Sequence, residues 1–320
     1  MRPSIPLLCA TLVALAACGG PDAPPPGAAD SMGPVTALRV NPGQHGMAAV
    51  VRWLRSPDGT ALLVVEDWSS VENEPFPDGF ILASEAAGRM LRADSVWDVA
   101  PAPDWRRVAF GRATRILAGE AERMPDDSLA AAAERLGVTV DAVRAAEFPA
   151  SGMAVMSGLS QLAVAELGGA MPRTFPHLAG WRVRWSDDGT RIYAGRGPTR
   201  ADDDAPATGW LAVEASSGAL IGPVDSAAAE PAWIVGPTVD ISVVPDTGRV
   251  ELAVEGGVVE SSGGLIRLAG REIGSGFAIA ATRRGCYIVA LTYDIEAGEY
   301  DAKYRAVVYD TGCRRPAAAP

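Results

Sequence analysis

The chain has 320 residues, 48% hydrophobic and 21% charged, with 39 Asp and Glu against 28 Lys and Arg, a formal charge of −11 at pH 7. That balance excludes a nucleic-acid-binding role and argues against adsorption to anionic lipid surfaces. The length suffices for one large all-β domain and does not require two.

At the N-terminus, Arg2 precedes an apolar stretch from Ile5 to Ala17, too short to span a bilayer as a helix and built like a secretion signal. Residues 1–17 are therefore expected to be removed, taking Cys9 with them. The Leu15-Ala16-Ala17-Cys18 order resembles the lipobox of bacterial lipoproteins, and the resemblance implies that Cys18 becomes the lipidated first residue. The other reading is an ordinary signal peptide cut nearby, with Cys18 free. Gly19, not Asp, follows Cys18, so the inner-membrane retention signal of some bacterial lipoproteins is absent. The expectation is a lipid-anchored protein of the cell envelope, periplasm-facing or at the surface, with the outer membrane favoured over the inner. Residues 18–34 are rich in Gly, Pro and Ala and read as a flexible tether. Later in the chain no run of about 18 apolar residues occurs, so the bilayer is contacted through Cys18 alone.

Next come recurring turns. Ser56-Pro57-Asp58-Gly59-Thr60, Ala102-Pro103-Asp104-Trp105-Arg106 and Ser186-Asp187-Asp188-Gly189-Thr190 each follow a Trp- or Val-rich run and precede an apolar run. Val244-Pro245-Asp246-Thr247-Gly248 is a degenerate fourth copy. Asp accepts backbone N–H groups in such turns, and Gly accommodates positive φ. In the first unit, Ala49 to Arg55, Ala61 to Asp67 and Gly79 to Glu85 read as strands, with a short fourth over Arg89 to Arg92. Further units begin near Ser95, Gly180, Ala232 and Phe277. Asp58 and Asp104 are 46 residues apart, close to the period of about 40–45 of propeller blades. The fold class expected is all-β: a β-propeller of about five four-stranded blades, with six or seven as alternatives, over residues 35–313.

The longer interval to the third turn holds Asp126-Asp127-Ser128, then Leu129 to Gly137, with helix formers and a terminating Gly. A second helix capped by Thr139 runs from Val140 to Phe148. The spacing predicts a helical hairpin, about residues 124–150, between strands two and three of the second blade. Three runs, Phe277 to Thr282, Cys286 to Asp294 and Tyr304 to Asp310, make up the last unit, and the missing fourth strand is expected from Val35 to Val40. If the last two runs form a hairpin, Cys286 and Cys313 meet at its open end, and an oxidising compartment makes them a disulfide. Residues 314–320 read as a disordered tail.

The Ser-Pro-Asp-Gly-Thr and Ser-Asp-Asp-Gly-Thr turns, each leading into an apolar strand, resemble the WD40-like propeller repeats of the TolB periplasmic protein and of prolyl oligopeptidase propellers. The resemblance implies a propeller with an interaction face and no single activity. Prolyl oligopeptidases carry their nucleophile in a separate hydrolase domain with a Gly-x-Ser-x-Gly elbow; Ser157 to Gln161 and Gly274-Ser275-Gly276 do not match it.

The loop between strands two and three of the third blade holds Asp202, Asp203 and Asp204, close to Arg196 and Arg200; the corresponding loop of the first holds Glu72, Glu74 and Asp78. Loops between strands two and three emerge on one face, so these residues and the helical hairpin are candidates for a binding face. The three consecutive carboxylates could hold Ca²⁺, but their spacing does not match a calcium loop with ligands at alternating positions. His45 and His177 are isolated, and no metal site is expected. The recurrence of Asp58, Asp104 and Asp188 at one turn position makes them structural, and no catalytic residue is assigned. Trp53, Trp97, Trp181, Trp185 and Trp233, near strand starts, read as core between blades. No cofactor is expected. The reading is a non-catalytic cell-envelope module that binds or scaffolds a protein or peptide. The alternatives are an enzyme, a hydrolase or lyase at the propeller channel, and a small-ligand or cation-binding protein.

Overall fold

Each turn joins two apolar runs that pair as an antiparallel hairpin. The computed structural model describes residues 33–42, 48–69, 78–112, 115–117, 130, 153–155, 161–169, 171–179, 182–196, 209–225, 238–240, 248–295 and 303–313. The closing strand is β1 (Thr36–Arg39), and the first unit is β2 (Ala48–Arg55), β3 (Ala61–Ser69), β4 (Asp78–Ser84) and β5 (Arg89–Pro101). The second adds β6 (Arg107–Arg112), β7 (Arg115–Leu117), β8 (Met153–Val155), β9 (Gln161–Glu166) and β10 (Arg173–Ala179). The third comprises β11 (Arg182–Trp185), β12 (Arg191–Arg196), β13 (Gly209–Glu214) and β14 (Leu220–Val224). After β15 (Thr238–Asp240), the fourth is β16 (Val250–Val254), β17 (Gly257–Ser262), β18 (Leu265–Leu268) and β19 (Arg271–Ser275), and the fifth is β20 (Phe277–Ala281), β21 (Tyr287–Tyr293) and β22 (Tyr304–Asp310). Antiparallel four-stranded units arranged this way make an all-β propeller.

Two details depart from the sequence expectation. β5 is no short fourth strand: Arg89 to Val96 pairs with β4, and Val96 to Pro101 pairs with β6. One strand is thus the outer edge of the first unit and the inner edge of the second, and the two units share an eight-stranded sheet. The handover lies at a register shift between Trp97 and Val99, where Asp98 takes a φ of +36° and the strand bends as at a bulge. Asp98 Oδ2 accepts the Val183 N–H at 2.6 Å, tying the bend to β11. The second departure is the segment after Ala232. Thr238 to Asp240 pairs with Val50 to Arg52 of β2 and so does not start the fourth unit, because it satisfies N–H and C=O groups that the edge of β2 would leave open. The degenerate turn's residues 244–247 lie outside the described residues, and so do residues 1–32, 314–320 and, apart from the helical Ala130, 118–152.

The core is divided among the seams between units. One buried cluster joins the first unit, through Val51, Leu62 and Ile81, to the fifth, through Val289, Leu291 and Val308. A second fills the seam between the first and second units, where Phe80 and Phe110 meet edge to face at 5.4 Å, an arrangement adding about 1 kcal/mol to their burial. A third joins β5, β6 and β9 to β11, β12 and β13 around Trp185, whose Nε1–H donates to Ala100 O at 3.0 Å. The fourth cluster lies between the fourth and fifth units. Trp53 packs against the first cluster and Trp185 is buried, as expected for Trp between blades; the side chains of Trp97, Trp181 and Trp233 lie outside the described residues.

The ends of the chain are fastened together. β1 pairs with β22 from Thr36↔Asp310 to Arg39↔Val307 and supplies the fourth strand of the fifth unit. The Gly33 N–H donates to Gly312 O at 2.8 Å. An ideal Cβ on Gly312 would stand 2.7 Å from the Gly33 Cα, so the crossing tolerates no side chain there. Cys286 and Cys313 form the expected disulfide, their Cα atoms 5.1 Å apart.

Candidate functional site

In the first turn the Ser56 hydroxyl donates to Asp58 Oδ1 at 2.6 Å, and the Thr60 amide and hydroxyl donate to the same carboxylate at 3.1 and 2.8 Å. The third turn repeats this arrangement with Ser186, Asp188 and Thr190. These bonds, the serine hydroxyl's foremost, hold both carboxyls at about 2, below the ordinary 3.8. In the second turn the Arg106 amide and the Arg107 guanidinium take over as donors to Asp104. Gly59 and Gly189 supply the positive φ, while the second turn places Trp105 there at φ +53°. For a non-glycine residue that conformation costs about 1 kcal/mol.

Strands alternate in direction, so the turns joining strands one and two and those joining three and four leave from the same end of a unit. At that end a cavity of about 710 Å³ opens between the first and second units. Its walls carry Pro57, Asp58, Ala87, Arg89, Asp104, Trp105, Arg106, Leu167 and Gly168. Trp105 and Leu167 are buried, whereas Arg89 and Arg106 are exposed. Arg89 Nη1 would lie 2.8 Å from an ideal Cβ on Gly168, so the guanidinium rests against this glycine and a side chain there would push it aside. No sequence spacing marks this cavity, because four turns from two units build it.

A buried polar cluster lies at the opposite end, on the seam between the first and fifth units. Arg305, 3% exposed, donates through Nη2 to the Asn41 carbonyl; its Nε stands 3.4 Å from Glu66 Oε1 and 4.0 Å from Asp294 Oδ2. Arg39 Nη1 is 3.9 Å from Asp294 Oδ2. These contacts join the segment after β1, the fifth unit and β3. The cluster spans the closing seam, and removal of any one partner would leave buried charge unmatched there.

Of the proposed binding-face residues, Asp78 opens β4 and is buried. Arg196 ends β12, and its side chain lies outside the described residues with Glu72, Glu74, Arg200, Asp202, Asp203 and Asp204. The loop holding 202–204 does join strands two and three of the third unit, and β7 and β8 flank the expected helical insertion between β6 and β9. His45 and the His177 side chain are likewise outside the described residues. Among the described residues no group of three or more His, Cys, Asp or Glu could hold a metal ion.

No protein-family model and no curated protein matches the chain. Among solved structures, it is similar to the β-propeller domain of the Trilobed protease from Pyrococcus furiosus, at 11% identity and a TM-score of 0.30, over 83% of this chain and 69% of that one. Pyrococcus horikoshii acylaminoacyl peptidase matches at 11% identity and 0.29, over 82% of this chain and 38% of that one. Prolyl oligopeptidase B from Galerina marginata matches at 10% and 0.29, over 82% and 43%. The chain spans less than half the length of either peptidase, and the likeness stops at the fold.

Proposed function

We propose that the protein is a lipid-anchored binding or scaffolding module of the cell envelope, held at the membrane by Cys18 through residues 18–34 and offering its propeller, residues 35–313, to a protein or peptide partner. The observation that carries this reading is the turn-end cavity, whose rim is held rigid by side-chain bonds. Asp58 and Asp104 are committed to their own turns, so these carboxylates support shape rather than chemistry. Recognition on rigidly held turns is a common arrangement. The Leu15-Ala16-Ala17-Cys18 order supports the anchor, and the acidic balance favours a partner other than nucleic acid.

Two measurements on the full-length chain in envelope membranes test the reading. Mass spectrometry of the mature N-terminus should find an acylated Cys18; an unmodified cysteine removes the anchor. In-membrane cross-linking should recover a defined protein partner from wild type and from the soluble Cys18→Ala variant mixed with envelope extract. Recovery of none in either sample sinks the binding reading.

A further inference from the structure

Resting on that reading, we propose that the cavity between the first and second units is the recognition site, and that it takes a peptide segment bearing a carboxylate, with the carboxylate held by Arg89 and Arg106 and an adjoining apolar side chain against Trp105 and Leu167. Four charged residues line the cavity. Asp58 is engaged by Ser56 and Thr60, and Asp104 by the Arg106 amide and the Arg107 guanidinium. The guanidinium groups of Arg89 and Arg106 make no hydrogen bond or ion pair with any described residue. In a chain carrying −11, these two guanidinium groups line the cavity with donors to spare, whereas Asp58, still charged, has its oxygens engaged within its own turn. A planar guanidinium matches a carboxylate with two parallel N–H donors.

Trp105 is an independent sign. The corresponding turns of the first, third and fifth units use Gly59, Gly189 and Gly285 at positive φ, yet the turn that forms a cavity wall keeps a tryptophan in that strained conformation. Strain of this sort persists where the surroundings impose it, and it clusters at ligand sites. Trp105, 9% exposed, belongs to the buried cluster of that seam and lines the cavity, giving it an apolar wall. The volume of about 710 Å³ falls within the roughly 300–1,000 Å³ of binding pockets and suits a few residues rather than a folded partner.

The test is calorimetric titration of the full chain with three synthetic probes: acetyl-Ala-Leu-Glu-Ala-amide, its Gln counterpart, and that Gln peptide with a free C-terminal carboxylate. At least one acid should bind, shifting the Arg89 and Arg106 Nε–Hε resonances and the Trp105 fluorescence. Whichever acid binds tells whether the carboxylate comes from a side chain or a chain end. The neutral amide should bind about tenfold more weakly. Arg89→Gln and Arg106→Gln should each cost about tenfold, and Gly168→Ala should weaken binding by displacing Arg89, while Arg249→Gln in the fourth unit should change nothing. Equal binding of the acids and the neutral amide would overturn the carboxylate assignment and leave the peptide reading standing. No binding up to about 10 mM, weaker than the millimolar end of useful affinity, would overturn the site; a partner recovered by cross-linking would still support the module.

Discussion

The Glu85 carboxylate accepts the Arg284 N–H at 2.8 Å across the seam between the first and fifth units, and the same oxygen stands 3.4 Å from the Cys286 amide. The turn it supports, Thr282 to Cys286, has the hydroxyl bond of the first and third turns, Tyr287 N–H to Thr282 Oγ1 at 3.0 Å, but carries Arg284 where they carry Asp. Glu85 therefore supplies from a neighbouring unit the acceptor that Asp58 and Asp188 supply locally. Glu85→Ala is expected to destabilise the protein by about 1–3 kcal/mol, the cost of leaving buried donors unmatched, while Glu85→Gln recovers most of it. Hydrogen exchange is the check: the Arg284 and Cys286 amides should lose protection while Thr60 keeps its own, and unchanged exchange at both would refute the substitution.

Acid should act through the first and third turns. Asp58 and Asp188 are held at about 2 against 3.8, so the unfolded chain binds these protons first as pH falls. Their contribution is fully present above about 4 and is lost as pH drops through 2. Urea unfolding between about pH 5 and 2 should show the midpoint falling more steeply for wild type than for the Asp58→Asn, Asp188→Asn double variant. Parallel curves would show that neither turn carries the dependence.

Arg305→Ala should be among the most damaging single changes. It leaves Glu66 and Asp294, 0% and 6% exposed, without the cation between them, at an expected cost of about 3–5 kcal/mol. Thermal unfolding of Arg305→Ala beside Arg305→Ala, Glu66→Leu should show partial recovery in the pair. An Arg305→Ala midpoint equal to wild type would mean that the cluster is solvated.

Leu117 pairs with Met153, so the two ends of the insertion lie side by side. Replacing residues 118–152 with an Asn-Gly turn should preserve the β6–β9 pairing and a β-rich circular dichroism spectrum. Loss of soluble protein would show that the insertion is part of the core.

What was legible from sequence was what local chemistry dictates. Asp at a fixed offset, followed by Gly in the first and third, marks three turns, a last unit short of one strand points to the N-terminal segment, and two cysteines at the ends of one hairpin meet. The rest depends on distant partners. The fifth turn is hidden because its acceptor, Glu85, lies 199 residues from Arg284, although the Thr282 and Gly285 offset repeats that of Ser56 and Gly59. The continuity of β5 is hidden because Ser95 and Asp98 look like turn residues, and the bend at Asp98 is held by Val183 of the next unit. The cavity and the Arg305 cluster each gather residues from segments that no periodicity connects.

The pairing of Thr36 with Asp310 also sets a timetable. A chain that emerges N-terminus first exposes β1 early, but its partner arrives roughly 270 residues later, so the closing unit is assembled last. Until then β1 is an unsatisfied edge, and the cysteines that will bridge have not both appeared. A ribosome thus hands on a chain that cannot complete its ring midway, which leaves closure as a late, all-or-none event.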